Sequence, residues 1–279
     1  MGKIYVCGDT HGDNVGRFSY KEHPALRELT EGDFVVVCGD TAIGWPGYDD
    51  TTEYSLETIS KKPFTVLYLF GNHDNYDFAE TLPMIDKFGG HVRQIVFGDT
   101  IYENQFIIDK PTILMLGDKR CLFIPGADSH DADELFYPSD TVGIKQAQRM
   151  GRMFRIIGQT WWPQEAIDIN ACCRLMISAE SDKFDYVFTH DCPAHFTTIA
   201  SPHGGSGWRL QSTFGERYLQ ALANKITYTR WFHGHMHYDF FPYALDDAPG
   251  VDDNIVCLFN YFVDAADDLG DIYSNNGLK

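Results

Sequence analysis

The sequence predicts an α/β protein, and three observations carry that reading. Residues 3–7, 34–38 and 64–70 are short apolar runs, each followed at once by Gly, Asp, Asn or His. That is the pattern of strands buried in a sheet and ending in polar loops. The intervals between the runs are long enough for crossover helices, with candidates at 20–29 and 53–60, so right-handed strand-helix-strand units follow. Finally, 44% of the 279 residues are apolar and 14% aromatic, enough for one core in a chain that buries roughly three quarters of its unfolded surface.

Further strands are expected at 112–116, 120–124, 185–189, 229–232 and 255–262. Segment 126–181 interrupts this series with an acidic loop, holding Asp128, Asp131, Asp133 and Glu134, and a helix opened by Pro163. Ile167, Ala171 and Leu175 recur along that helix as a core-facing stripe. Residues 201–215 are rich in Gly, Ser and Thr and read as a surface loop, whereas 244–271 carries eight aspartates and no Lys or Arg. With no internal repeat and no low-complexity linker, the expectation is a single domain over 1–279, with an insertion at about 126–181 and an acidic C-terminal segment at about 244–279.

Charge and cysteine usage exclude several classes. Lys and Arg number 22 against 40 Asp and Glu, a formal charge of −18, which argues against duplex nucleic acid as a partner because phosphate-backbone binding needs clustered cations. No run approaches the roughly 18 uncharged apolar residues that cross a bilayer. Met1-Gly2-Lys3-Ile4 leads into a strand pattern and not a signal segment, and Val6 stands where an acylation signal has Ser or Thr. The expectation is a soluble, cytoplasmic protein with no membrane partner. The seven cysteines are scattered and contain no Cys-x-x-Cys pair, so neither a disulfide framework nor a zinc ribbon is indicated.

The chemistry concentrates where the strands end. Asp9 and His11 are two residues apart, so in an extended segment a carboxylate and an imidazole point the same way. Asp40 follows the second strand 31 residues further on, and Asn72 the third after another 32. His235 and His237 repeat the two-residue spacing with imidazoles, and His190 follows the run 186–189. Seven donors without a thiolate exceed what one zinc takes and suit two ions sharing a bridge. Mixed N/O ligation favours first-row divalent ions such as Mn, Fe, Zn or Ni over calcium, and Asp40, between the two groups in chain order, is the natural bridge. His73, next to Asn72, faces the other way, toward a substrate, with Asp74 placed to orient its ring as in a general acid and its supporting carboxylate.

Taken in order, Gly8-Asp9-Thr10-His11-Gly12, Gly39-Asp40, Gly71-Asn72-His73-Asp74, His190 and Gly234-His235-Met236-His237 resemble the five motifs of the calcineurin-like metallophosphoesterases. The resemblance implies a four-layer α/β/β/α sandwich of two packed mixed sheets with a dinuclear metal centre at the loop ends. It implies that Asp9, His11 and His237 hold one ion, that Asn72, His190 and His235 hold the other, and that Asp40 bridges both. It further implies a phosphoric ester hydrolase, acting on a small phosphomonoester or phosphodiester by in-line attack of metal-bound water, with His73 as the acid. A nuclease or cyclic-nucleotide phosphodiesterase on the same scaffold, and a non-catalytic protein-binding scaffold, are the alternatives. Retention of every ligand together with His73 speaks against the last.

Two departures from that pattern matter. Where the protein Ser/Thr phosphatases of the superfamily carry Gly-Asp-x-Val-Asp-Arg-Gly, this sequence reads Gly39-Asp40-Thr41-Ala42-Ile43-Gly44-Trp45, which lacks the second acid and the phosphate-gripping arginine and points away from that subgroup. The stretch Gly126-Ala127-Asp128-Ser129 with Trp161-Trp162-Pro163-Gln164-Glu165 is similar to bacterial and phage members. Arg209 is a candidate replacement for the absent arginine. His130, amid acids, reads as part of a solvated loop, and Trp161 and Trp162 as packing residues.

Overall fold

The computed structural model describes residues 2–196, 212–239 and 254–267. The first sheet is built from β1 (Ile4–Cys7), β2 (Phe34–Cys38), β3 (Thr65–Leu69), β4 (Met84–Lys87), β5 (Gly90–Phe97) and β6 (Thr100–Ile108). The second takes β7 (Thr112–Leu116), β8 (Lys119–Ile124), β11 (Lys183–Thr189), β12 (Thr227–His233) and β13 (Ile255–Cys257), while β9 (Glu134–Phe136) and β10 (Phe154–Ile156) form a separate parallel pair. A last strand, β14 (Val263–Asp264), returns to the first sheet, whose order is β14-β1-β2-β3-β6-β5-β4; the second runs β13-β12-β11-β8-β7. Both sheets are mixed. β1, β2, β3 and β6 are parallel, with antiparallel strands at the edges. Likewise β8, β11, β12 and β13 are parallel and β7 antiparallel.

Strand alternation builds the layers. Along β2, Phe34, Val36 and Cys38 enter the core between the sheets, where they join Phe123, Phe188 and Phe232 of the second sheet. Val35 and Val37 face the other way, toward Leu56 and Ile59 of helix α2 (Asp49–Ser60) and Ala79 of helix α3 (Tyr76–Thr81), which follow the one-turn helix α1 (Asn14–Arg17) in the chain. On the far side, Leu122, Val187 and Trp231 meet Cys172 of the helix Ile169–Ser178 and Leu219 and Leu222 of the helix Phe214–Ala223. Helix, sheet, sheet, helix is therefore the order of layers. Strands buried on both faces read as continuous apolar runs, and each enclosed Val, Leu or Phe contributes about 1.5–3 kcal/mol.

Several elements differ from the sequence expectation. Residues 20–29 form only a 3-10 turn, Pro24–Glu28, since Pro24 lacks the N–H an α-helix would use there. Pro163 likewise opens a 3-10 turn, Pro163–Glu165; the chain is extended at Ala166, and the helix begins after Asp168, whose side chain caps Ala171 N. Of the expected strand 255–262 only 255–257 is strand, β13 beside β12; the chain then crosses to the first sheet, where β14 pairs with β1. Strands β4 to β6 were not legible because polar residues interrupt them. The structure satisfies those groups internally: Arg93 is paired with Asp109, Gln105 with Tyr68 and Leu56 O, and Asn104 with the carbonyls of Lys62 and Phe64.

All seven cysteines are free thiols. Among the described residues no helix is long and apolar enough to cross a membrane.

Candidate metal centre

Parallel pairing of β1, β2 and β3 brings their carboxyl ends side by side, and the loops that follow carry Asp9, Asp40 and Asn72, all fully buried. From the second sheet, the neighbouring strands β11 and β12 deliver His190 and His235 to the same place. Candidate ligand atoms of Asp9, His11, Asp40 and His237 lie within 4.8 Å of one another, as do those of Asp40, His190 and His235; Asp40 belongs to both groups. The loops are conformationally costly. His11, Asp40, His235 and His237 have φ of 44°, 50°, 66° and 52°, a left-handed region that costs a non-glycine residue of order 1–3 kcal/mol and is tolerated best by Asn, Asp and His. Two glycines open the space. A Cβ on Gly39, whose φ is 100°, would stand 1.9 Å from His190 Nδ1, and one on Gly71 would stand 2.3 Å from Asp40 Oδ1.

The donor set fits a cation. His190 Nδ1 lies 2.8 Å from the Cys38 carbonyl, which can only accept, so Nδ1 carries the hydrogen and Nε2 is left as the ligating nitrogen. That Nε2 faces Asn72 Oδ1 and Asp40 Oδ1, each at 3.1 Å. Asn72 spends its amide N–H on Ser129 Oγ, leaving its oxygen turned inward. Asp40 Oδ2 is buried with no hydrogen-bond partner, and the Nε2 atoms of His11 and His237 face each other at 2.8 Å. Lone pairs converging this closely are stable only around positive charge.

The neighbouring acids favour the charged form of His190. Burial opposes it, yet Asp40 and Asp9 push the imidazole up to about 10. Burial likewise pushes Asp9 up, with Asp40 adding to it, whereas at Asp40 the charge and hydrogen bond of His190 overcome burial and hold the carboxyl well below the usual range.

A family model, calcineurin-like phosphoesterase, matches residues 2–239. The chain belongs to the calcineurin-like phosphoesterase family. Among solved structures, a phosphopantetheinyl hydrolase from Mycobacterium tuberculosis is similar, with a TM-score of 0.43 and 13% identity over 92% of this chain and 89% of that one. No curated protein matches significantly. Membership makes this calcineurin-like phosphoesterase a metal-dependent phosphoester hydrolase, for which the family implies a dinuclear divalent centre, and the two clusters sharing Asp40 fit one.

The surroundings of His73 differ from the sequence expectation. Asp74 does not meet the His73 ring. Its carboxylate accepts from Thr41 N, Thr41 Oγ1 and Ala42 N at 2.8, 2.8 and 2.9 Å, and from Gly71 N at 2.7 Å, and so ties the second-strand loop to the third. The turn after Asn72 sends the two side chains of 73 and 74 to opposite sides. Asp74→Ala would strand these buried donors, and a loss of about 3 kcal/mol or more is expected; chemical denaturation of the metal-free variant measures it.

Arg155 of β10 takes the place expected for Asp74. Its buried guanidinium meets His73 Nε2 at 2.6 Å and Nδ1 at 3.1 Å, and pairs with both oxygens of Asp131 at 2.7 and 2.8 Å. Asp131 itself lies 3.5 Å from His73 Nε2. Burial chiefly, with Arg155 reinforcing it and Asp40 and Asp131 opposing, holds the His73 imidazole below its ordinary range. Asp131 was visible in the sequence as one acid of a loop. Arg155 gave one signal only, a lone cation between Phe154 and Ile156. His130, read as solvated, stands edge-on to His235 with ring centroids 5.2 Å apart. Trp162 is 1% exposed and packs in the core. Arg209 lies outside the described residues.

Proposed function

We propose that this chain hydrolyses a small phosphomonoester or phosphodiester, with water as the nucleophile, using a pair of first-row divalent ions drawn from Mn, Fe, Zn or Ni. The observation that carries the reading is the convergence of His190 Nε2, Asn72 Oδ1 and the Asp40 carboxylate on one buried point, with the mixed N/O chemistry such ions prefer. Asp9, His11 and His237 would hold one ion, Asn72, His190 and His235 the other, and Asp40 both. When bound, the ions supply an acidified water and positive charge for the phosphoryl oxygens.

The protein's own groups do the rest. His235 N donates to both Asp9 oxygens, at 3.1 and 3.0 Å, and His73 N donates to Asp40 Oδ1 at 2.8 Å, so backbone amides fix the aim of both acids. The His73 ring passes a proton to the departing oxygen. Burial, with Arg155 reinforcing it, lowers the basicity of the ring, which makes its charged form the stronger acid. Arg155 and Asp131 position the ring from the segment 126–181. Arg155→Ala should therefore keep metal and lose about ten- to a hundredfold in kcat on alkyl phosphates, the scale of small misplacement of a reacting group; Arg155→Lys, which keeps the charge and loses the planar fork, should recover part of it.

Elemental analysis of metal-loaded protein with a phosphoester panel tests the function. Comparison of bis(p-nitrophenyl) phosphate with p-nitrophenyl phosphate assigns diester or monoester preference. Metal-replete protein inert toward every ester would refute the proposal.

A further inference from the structure

A cavity of about 370 Å³ opens beside the ligand loops, lined by His11 and His73 at one end and by Trp45, Tyr48, Thr51 and Ser55 toward the start of α2. Pockets for small molecules span roughly 300–1,000 Å³, so this one suits a single compact group and not a polymer. Among the described residues the lining contains no Lys or Arg; Asp49 and Asp50, in the first turn of α2 next to Tyr48, are exposed and stand outside it. A second phosphate entering here would find no cationic side chain in that lining.

The aromatic groups are arranged as a platform. The Trp45 indole lies nearly parallel to the His73 ring, 25° between planes at 6.3 Å, and is braced edge-on by Trp162 at 5.5 Å. Gly44, with φ 70°, lets the loop turn there, where any Cβ would stand 2.4 Å from the Phe78 ring. Tyr48 is 58% exposed at the rim. Half-buried Trp45 and exposed Tyr48, in a lining with no Lys or Arg among the described residues, offer aromatic faces and apolar area to a flat neutral ring.

We propose that this cavity receives the leaving group, and that the leaving group is an uncharged alcohol bearing a flat aromatic ring, about the size of a nucleoside, stacked on Trp45. The inference rests on the hydrolase reading. Water adds its oxygen to phosphorus, the ester P–O bond breaks, and the alcohol departs with a proton from His73. Because His73 lines the cavity, whatever is attached to that oxygen begins there.

A matched pair of substrates isolates the ring. Nucleoside 5′-monophosphate and ribose 5-phosphate present the same primary ester, and only the first carries a base. With metal-loaded protein, kcat/KM for the nucleotide should exceed that for the sugar phosphate by about tenfold or more, the scale of one base stacked on an aromatic side chain. The nucleoside 5′-diphosphate, whose leaving group is itself charged, should be the poorer substrate. Trp45→Ala should bring the ratio toward one. Tyr48→Ala, at an exposed position where folding is not at stake, should lower it in the same direction. Equal values for the pair, a ratio unmoved in both variants, or a preference for the diphosphate would overturn the cavity assignment. Turnover of ribose 5-phosphate and p-nitrophenyl phosphate without the gap overturns it alone, whereas no turnover of any ester overturns the hydrolase reading and this inference with it.

Discussion

Replacing Asp40 by alanine is expected to abolish divalent-metal binding and phosphoester hydrolysis together. Among the described residues no other side chain belongs to both ligand groups. One Asp40 oxygen is engaged by His190 Nε2 and His73 N, and the other is buried with no hydrogen-bond partner, an arrangement that costs stability unless a cation completes it. Elemental analysis of the purified variant should show both ions gone, and kcat should fall by roughly a thousandfold or more, the scale of removing a principal electrostatic stabiliser of a transition state. A thermal-shift measurement separates this from misfolding. Ion present at a hundred times its Kd stabilises a folded site by about 2.7 kcal/mol, so Mn²⁺ should raise the Tm of the wild-type chain and leave that of the variant unmoved. Asp40→Asn, which tolerates the φ of 50° at this position, keeps the loop and should behave as the alanine does. Full metal content with full activity in either variant would remove Asp40 from the centre.

His73→Ala is expected to do the opposite with metal and be selective in rate. Asn72 turns its oxygen to His190, while the neighbouring His73 ring goes to Arg155, Trp45 and the cavity. Only the His73 backbone N–H reaches Asp40, and alanine retains it. Metal content therefore stays, and kcat on alkyl phosphates falls by about 10²–10⁴, the usual contribution of a positioned proton donor. With p-nitrophenyl phosphate, whose leaving group needs no proton, the loss should be much smaller. Equal losses across the series would make His73 a binding group, and loss of metal would make it a ligand.

The difference between Asp74 and Arg155 shows how far sequence spacing reaches. Asp74 stands beside His73 in the chain, and adjacency suggests a partner. A carboxylate one residue along points to the other side of the turn, where four donors hold it. Arg155, 82 residues away, arrives through the β9–β10 pair, and no local pattern encodes that approach. The strands with broken apolar pattern, β4 to β6, were illegible for a related reason: Arg93, Asn104 and Gln105 find their partners in other elements.

By itself the sequence determined the α/β class and the strands whose ends carry the candidate ligands, because a strand's apolar run and the polar loop that follows it are local properties of the chain. Only the tertiary structure decided which groups surround His73, what Asp74 ties together, and the size and charge of the cavity beside the metal centre. Those depend on how distant segments pack against one another, which is set by burial and hydrogen-bond satisfaction summed over the whole molecule and not by any neighbour in the chain.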